Sequence, residues 1–467
     1  MADPIFSPDG KWMWTGSEWI PAPPSSSQSA NVNLHDSVIG GNVNIIQNNS
    51  EDIATAIVQA LERIGFSGQS SPAELTPSQE AEVEQVLEMS EQLAGHGIEI
   101  DPWIEITLAN AAKLAGRTHS AQQHYLRALE TFRKNTERYG EASALNQLGL
   151  IAETRGDLAE AERLHRESKE ISQEIGDRKG EAASLNNLGI IAKRRGDLPV
   201  AERLQRESLA INREIGNRQG EAYSLGALGV AAFTRRDLAE AEKLQRETLA
   251  ISREIGDREC EAGSLTWLGN IAGERGNHAE NDRLQRESLA IYIEIGDRQG
   301  EMYSLGNLGV IAKQRGDLAE AERLLREALA ISREIGDRQA EASTLSNLGN
   351  VANDRGDFVE AERLERENLA INREIGNLRG EAKSLNLLGN DAYNRGDLVE
   401  AERLLREALA IKREIGDRQG EAVSLINLGN ILLNRNMDER NRCYTEAVRI
   451  QREMGLPIQQ WFIDNGY

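Results

Sequence analysis

Aromatic side chains make up only 4% of this chain, and cysteine occurs twice, at Cys260 and Cys443. So few aromatics over 467 residues exclude one large conventional core and leave Ala and Leu to pack between short helices. Two cysteines far apart in sequence exclude a disulfide framework and favour a reducing, cytoplasmic location. Basic residues are also short, 54 against 76 acidic, for a formal charge of −22. That deficit excludes a nucleic-acid binder, which needs a concentrated basic surface, and favours partners carrying a basic segment. No apolar run approaches the roughly 18 residues of a membrane span, and the opening MADPIFSPDG has neither a basic nor an apolar leader region. The six histidines are scattered, and no HExxH, GxSxG, phosphate-cradling Gly loop or Cys cluster occurs. The chain therefore reads as non-catalytic, with no cofactor and no metal. Proline is scarce beyond Pro102, since eight of the ten lie at or before it. That shift separates an irregular N-terminal region from the remainder of the chain.

The remainder is repetitive. Gly300 to Gln339 reappears when shifted by 40 residues in either direction, without insertion or deletion. Glu recurs at 141, 181, 221, 261, 301, 341, 381 and 421, and Gly at 149, 189, 229, 269, 309, 349, 389 and 429. A fixed period of this length marks a solenoid, in which each unit buries its apolar face on its neighbours. Within one unit, Leu145, Leu148 and Ala152 give a first helix its apolar stripe. Gly149 beside that stripe lets a partner helix come close. Gly156 ends the helix, and Asp157 with Glu160 starts the second as a capping box. Ala161, Leu164, Ser168 and Ile171 are the second helix's buried stripe, and the pairs Glu162–Arg166 and Arg163–Glu167 lie on its exposed side.

Leu145, Leu148, Gly149, Ala161 and Ser168 fall where the tetratricopeptide repeat places its large, Leu, Gly, Ala and small residues. The resemblance covers residues 101 to about 456. A period of 40 instead of 34, Ala152 in place of Tyr, and Gly176 where Pro is common resemble the long-period class found in kinesin light chains. The family implies an all-α fold, a right-handed α-solenoid of antiparallel helix hairpins. The sequence divides as 1–24, a Trp-rich mini-module; 25–50, a linker with a β-prone Asn/Val segment; 51–100, a helical lead-in; 101–456, nine repeats; and 457–467, a tail. Around Trp12, Trp14 and Trp19 the mini-module resembles a small domain of unknown function, with short strands between Gly turns. Those tryptophans are a candidate aromatic platform.

Because the repeats are nearly identical, variable positions are informative. On the first helix the offsets equivalent to 143, 146, 150 and 153 form a stripe away from the Leu face, and the family resemblance places it on a concave groove. Asparagine is dense there or beside it: Asn146, Asn186, Asn187, Asn270, Asn307, Asn347, Asn350, Asn386, Asn390, Asn427 and Asn430. Asn is a poor mid-helix residue and needs partners. In the long-period class, matching asparagines hold the backbone of an extended peptide, and the resemblance implies the same here, most densely in the C-terminal half. The alternative is that these amides bridge repeats. Tyr223, Phe233, Trp267, Tyr303 and Tyr393 supply aromatic anchors, with Tyr223, Phe233 and Trp267 read as one pocket. The expected function is a non-catalytic scaffold that binds a partner's peptide segment in the groove. The alternative is a self-assembling spacer that forms a homo-oligomer through residues 31–47.

Overall fold

The computed structural model describes residues 5–6, 12–14, 19–21, 50–66, 75–95, 99–433 and 435–466. They fall into two compact units, Met1–Ala121 and Gln122–Tyr467.

In the first unit, β1 (Ile5–Phe6), β2 (Trp12–Trp14) and β3 (Trp19–Pro21) form an antiparallel sheet in that order, with Trp14 opposite Trp19 and Trp12 opposite Pro21. Residues 31–47 lie outside the described residues. The helices α1 (Ser50–Ile64), α2 (Pro77–Gly95) and α3 (Pro102–Leu114) come next. Thr76 and Gln79 make a reciprocal capping box at the start of α2: the Thr76 amide donates to Gln79 Oε1 (2.9 Å) and the Gln79 amide to Thr76 Oγ1 (3.3 Å). The Gln79 side-chain amide also donates to the Ile64 carbonyl, satisfying an orphan acceptor at the end of α1.

The helix Thr118–Asn135 crosses the division between the units. Eight hairpins of the second unit come after it. Their first helices are Arg138–Thr154, Arg178–Arg194, Arg218–Thr234, Arg258–Glu274, Arg298–Gln314, Arg338–Asp354, Leu378–Asn394 and Arg418–Ile431. Their second helices are Leu158–Ile175, Leu198–Glu214, Leu238–Ile255, His278–Ile295, Leu318–Glu334, Phe358–Glu374, Leu398–Glu414 and Met437–Glu453. This is the all-α solenoid expected from the period. Leu145, Leu148, Ala161, Leu164 and Ile171 are each 5% exposed or less, so both predicted stripes form the core. The buried Ser168 hydroxyl donates to the Ala142 carbonyl (2.9 Å), which explains a polar residue in that stripe.

The helix ends follow the sequence. Gly156 adopts φ 78°, in the left-handed region, and the Asp157 carboxylate accepts from the Glu160 amide (3.1 Å). The capping box is only half made, because the Glu160 carboxylate turns to Arg163 instead. Close approach is genuine at Gly149: a Cβ there would stand 2.6 Å from the His165 ring. The tail forms a short helix, Gln460–Asp464, that caps the last hairpin. Phe462 is 2% exposed and packs its ring edge-on against Tyr444, which is itself buried beneath Gly429.

Candidate functional site

The asparagines divide into two groups according to their partners. Asn146 Oδ1 accepts from Asn187 Nδ2 of the next hairpin (3.0 Å) and meets His165 Nδ1 (3.0 Å). Asn270 Oδ1 accepts from Gln285 Nε2 (3.1 Å), while Asn307 Nδ2 donates to Gln285 Oε1 across a repeat boundary (3.3 Å). Asn386 Oδ1 accepts from Ser424 of the following hairpin (3.0 Å), and Asn430 Oδ1 from the Tyr444 hydroxyl (2.7 Å). These amides join helices, some within one hairpin and some across a repeat boundary. Asn347, Asn350, Asn390 and Asn427 form the other group. Each is half-buried and makes no hydrogen bond to the protein. All four lie in the C-terminal half; Asn186, in the N-terminal half, is likewise half-buried, and its Oδ1 has no partner.

The aromatics do not form one pocket. Phe233 and Trp267, on successive first helices, meet edge-on with centroids 5.5 Å apart. Tyr223 sits ten residues before Phe233 on the same helix, roughly 15 Å away along its axis. Burial, then the charges of Asp257 and Glu259, push its phenol up to about 12. Tyr303 and Tyr393 are exposed on their own helices, at 52% and 42%. Trp12, Trp14 and Trp19 are placed here only as members of β2 and β3. Both thiols are free, and burial raises Cys260 to about 12 and also raises Cys443.

A ladder of ion pairs that the periodic Glu had marked, without revealing its role, holds the hairpins in register. Glu261, 6% exposed, accepts from Arg253 Nε of the preceding second helix (2.7 Å) and from Arg258 Nη1 of its own first turn (2.5 Å). The same two arginines reach on to Glu287 (2.8 Å) and Glu294 (2.6 Å) of the next second helix. Glu221 is bound likewise by Arg213 and Arg218. Burial works to raise its carboxyl, but these hydrogen bonds outweigh it and hold the group below its usual value. The ladder breaks at Ile293, which stands in the arginine column, so Glu301 keeps only Arg298. It breaks again at Leu378, which leaves Glu381 with Arg373. Clefts between successive second helices, one of about 550 Å³ walled by Glu322, Arg326, Arg333 and Arg363, belong to this charged face and not to the asparagine stripe. Among the described residues no helix is long and apolar enough to cross a membrane.

The fold has many relatives among solved structures. A signal-transduction ATPase with a tetratricopeptide repeat sensor from Pyrococcus horikoshii is 15% identical, with a TM-score of 0.58 over 92% of this chain and 67% of that one. The apo quorum sensor NprR from B. thuringiensis is 14% identical, with a TM-score of 0.53 over 78% and 99%. BtubC from P. vanneervenii is 20% identical, with a TM-score of 0.44 over 48% and 94%. At such identities the likeness is one of fold. No curated protein matches the chain. The model of the tetratricopeptide repeat matches in overlapping copies over residues 101–174, 140–214, 181–254, 260–334, 299–374, 340–414 and 380–453. With first helices that recur every 40 residues from Arg138 to Arg418, this chain belongs to the tetratricopeptide repeat family.

Proposed function

We propose that this chain, an interaction scaffold by its family, binds an extended peptide segment of a partner protein along the first-helix stripe of its C-terminal half. The observation that carries the reading is the set of four half-buried carboxamides, Asn347, Asn350, Asn390 and Asn427, that no protein group satisfies. A carboxamide offers a donor and an acceptor, which is what one peptide group needs, and it is indifferent to the side chain that peptide carries. With no protein partner, these half-buried amides keep both groups free for a bound backbone. The Phe233–Trp267 pair supplies an apolar anchor further along, and the net charge of −22 favours a segment with basic residues.

The test is selection of random 12-residue peptides on the full chain, then titration of the selected peptides by fluorescence anisotropy. Wild type is compared with a variant carrying Asn347→Ala, Asn350→Ala, Asn390→Ala and Asn427→Ala, at matched helicity. Each neutral hydrogen bond is worth about 1 kcal/mol, so the quadruple variant is expected to bind at least about tenfold more weakly. Equal affinity for both proteins refutes the reading.

A further inference from the structure

Two acidic residues stand where the repeat boundaries on either side hold apolar pairs. The second-helix residue beneath the recurring Gly and the first-helix residue 26 positions later share one apolar cluster at two repeat boundaries. In one boundary they are Leu325 and Val351, members of one apolar cluster. In another they are Leu405 and Ile431, again in one cluster. In the boundary between these two they are Glu365 and Asp391.

Neither carboxylate is compensated by the protein. Glu365 is 3% exposed; its Oε1 accepts from Asn368 Nδ2 (2.9 Å), and its Oε2 accepts nothing. Asp391 is half-buried and makes no hydrogen bond or ion pair. Burial, and then the charge of Glu365, raise its carboxyl above the usual range. The same column elsewhere shows how a polar residue is satisfied. Gln205 and Gln245 donate to first-helix carbonyls at 3.0 Å, which a carboxylate cannot do. His165 Nε2 meets Glu153 Oε1 at 3.1 Å, and Arg194 stands 3.8 Å from the same carboxylate, so that acid has a hydrogen-bond partner and a cation.

A second unpartnered group lies on the first helix that Glu365 packs against. The Ser346 hydroxyl is 5% exposed and has no partner. It lies one turn before Gly349, whose Cβ position is 3.6 Å from Glu365 Oε2. It also occupies the column of Asn146, the residue that touches His165. Asn350 and Asn390, both without protein partners, are chain neighbours of Gly349 and Asp391.

A buried carboxylate, a half-buried one and an orphan hydroxyl beside the proposed peptide-binding stripe lack one thing, a cation with several donors. We propose that Glu365 and Asp391 form an anionic seat for one basic side chain, a lysine ammonium or an arginine guanidinium, of the bound segment. This rests on the groove reading above and adds its sequence preference. A basic side chain brings three to five N–H donors and offsets the charge of both acids. A divalent metal fits less well. Calcium and magnesium take six or more oxygens, and the described residues hold no group of three or more His, Cys, Asp or Glu that could ligate one.

The experiment is the same peptide selection on the full chain, run in parallel on wild type, on Glu365→Leu with Asp391→Val, and on Glu365→Gln. Leu and Val are the residues of the neighbouring boundary, and Gln occupies this column at 205, 245 and 285, so the variants keep the fold; circular dichroism checks that they do. The seat predicts that wild type enriches peptides with Lys or Arg at one fixed position and binds them at least about tenfold more tightly than their Lys→Gln counterparts. Both variants lose that difference. If all three proteins enrich the same peptides with no basic position, the groove stands and the seat is refuted. If none enriches any peptide, the groove reading itself fails and the seat with it. Calorimetric titration with CaCl2, MgCl2 and ZnCl2 closes the remaining case, since saturable binding lost in the variants makes the occupant a metal and overturns the proposal.

Discussion

Replacing Glu261 by Gln removes one rung of the ladder while leaving its shape. The carboxylate accepts from Arg253 at 2.7 Å and Arg258 at 2.5 Å, and both are lost as charge-assisted bonds. Such bonds are worth about 1.5–3 kcal/mol each when buried. The arginines are 49% and 39% exposed and keep Glu287 and Glu294, so solvent screening reduces the loss. We expect about 2 kcal/mol. Glu301 is the internal control, because Ile293 leaves it with Arg298 alone at 2.5 Å. Glu301→Gln should cost about half as much. A repeat array does not unfold as one unit, so the measurement is native-state hydrogen exchange at the two boundaries. Glu261→Gln should lower protection near residue 261 by about thirtyfold and Glu301→Gln near residue 301 by about fivefold. Equal losses at both sites, or a loss under about threefold at Glu261, refute the idea that paired arginines hold the register.

Ile293→Arg should repair the break and raise protection around Glu301 several-fold, at little cost, because Ile293 is already 57% exposed. Arg236 adopts φ 62° where other repeats have Gly, so Arg236→Gly should stabilise its hairpin by about 1 kcal/mol, read by calorimetry, despite losing an exposed pair with Glu274. At Gly429 an added Cβ would stand 2.3 Å from the Tyr444 ring. Overpacking there costs about 1–3 kcal/mol, of which better helix propensity returns about 1, so Gly429→Ala should loosen the cap and speed proteolysis of the tail. Hydrogen bonds from Arg163, Arg323 and Arg403 hold Glu160, Glu320 and Glu400 below their usual value of 4.5. A depressed carboxylate contributes stability that is present above its unfolded value and lost as pH falls through the folded one. Melting midpoints should therefore hold near neutrality and drop below pH 4.5. Asp391 has the opposite sign: burial makes its ionised form costly, so Asp391→Val should stabilise the fold near neutrality, and that gain should shrink as pH falls.

The sequence by itself determined the repeat, its two helices and their ends. These depend on contacts within one turn or one hairpin, and eight nearly identical copies report the same apolar columns. Leu145, Leu148, Ala161 and Leu164 are buried as read, Gly156 takes its left-handed turn, and Asp157 caps. The site was legible as a set of residues but not as a set of partnerships. The asparagine columns were visible, yet whether an amide is spent on a neighbour depends on what its own hairpin or an adjacent repeat presents 14 to 41 residues away. Asn146 finds Asn187, while Asn347 finds nothing. Tyr223 and Phe233 share a helix and still lie well apart, because ten residues of rise separate them. The Glu at 261 and its counterparts announced themselves by period, but only stacked hairpins bring Arg253 and Arg258 onto one carboxylate. Glu365 and Asp391 were each visible as odd residues in their columns; that the charge of one acts on the other is decided by helix against helix, across a boundary no local pattern spans.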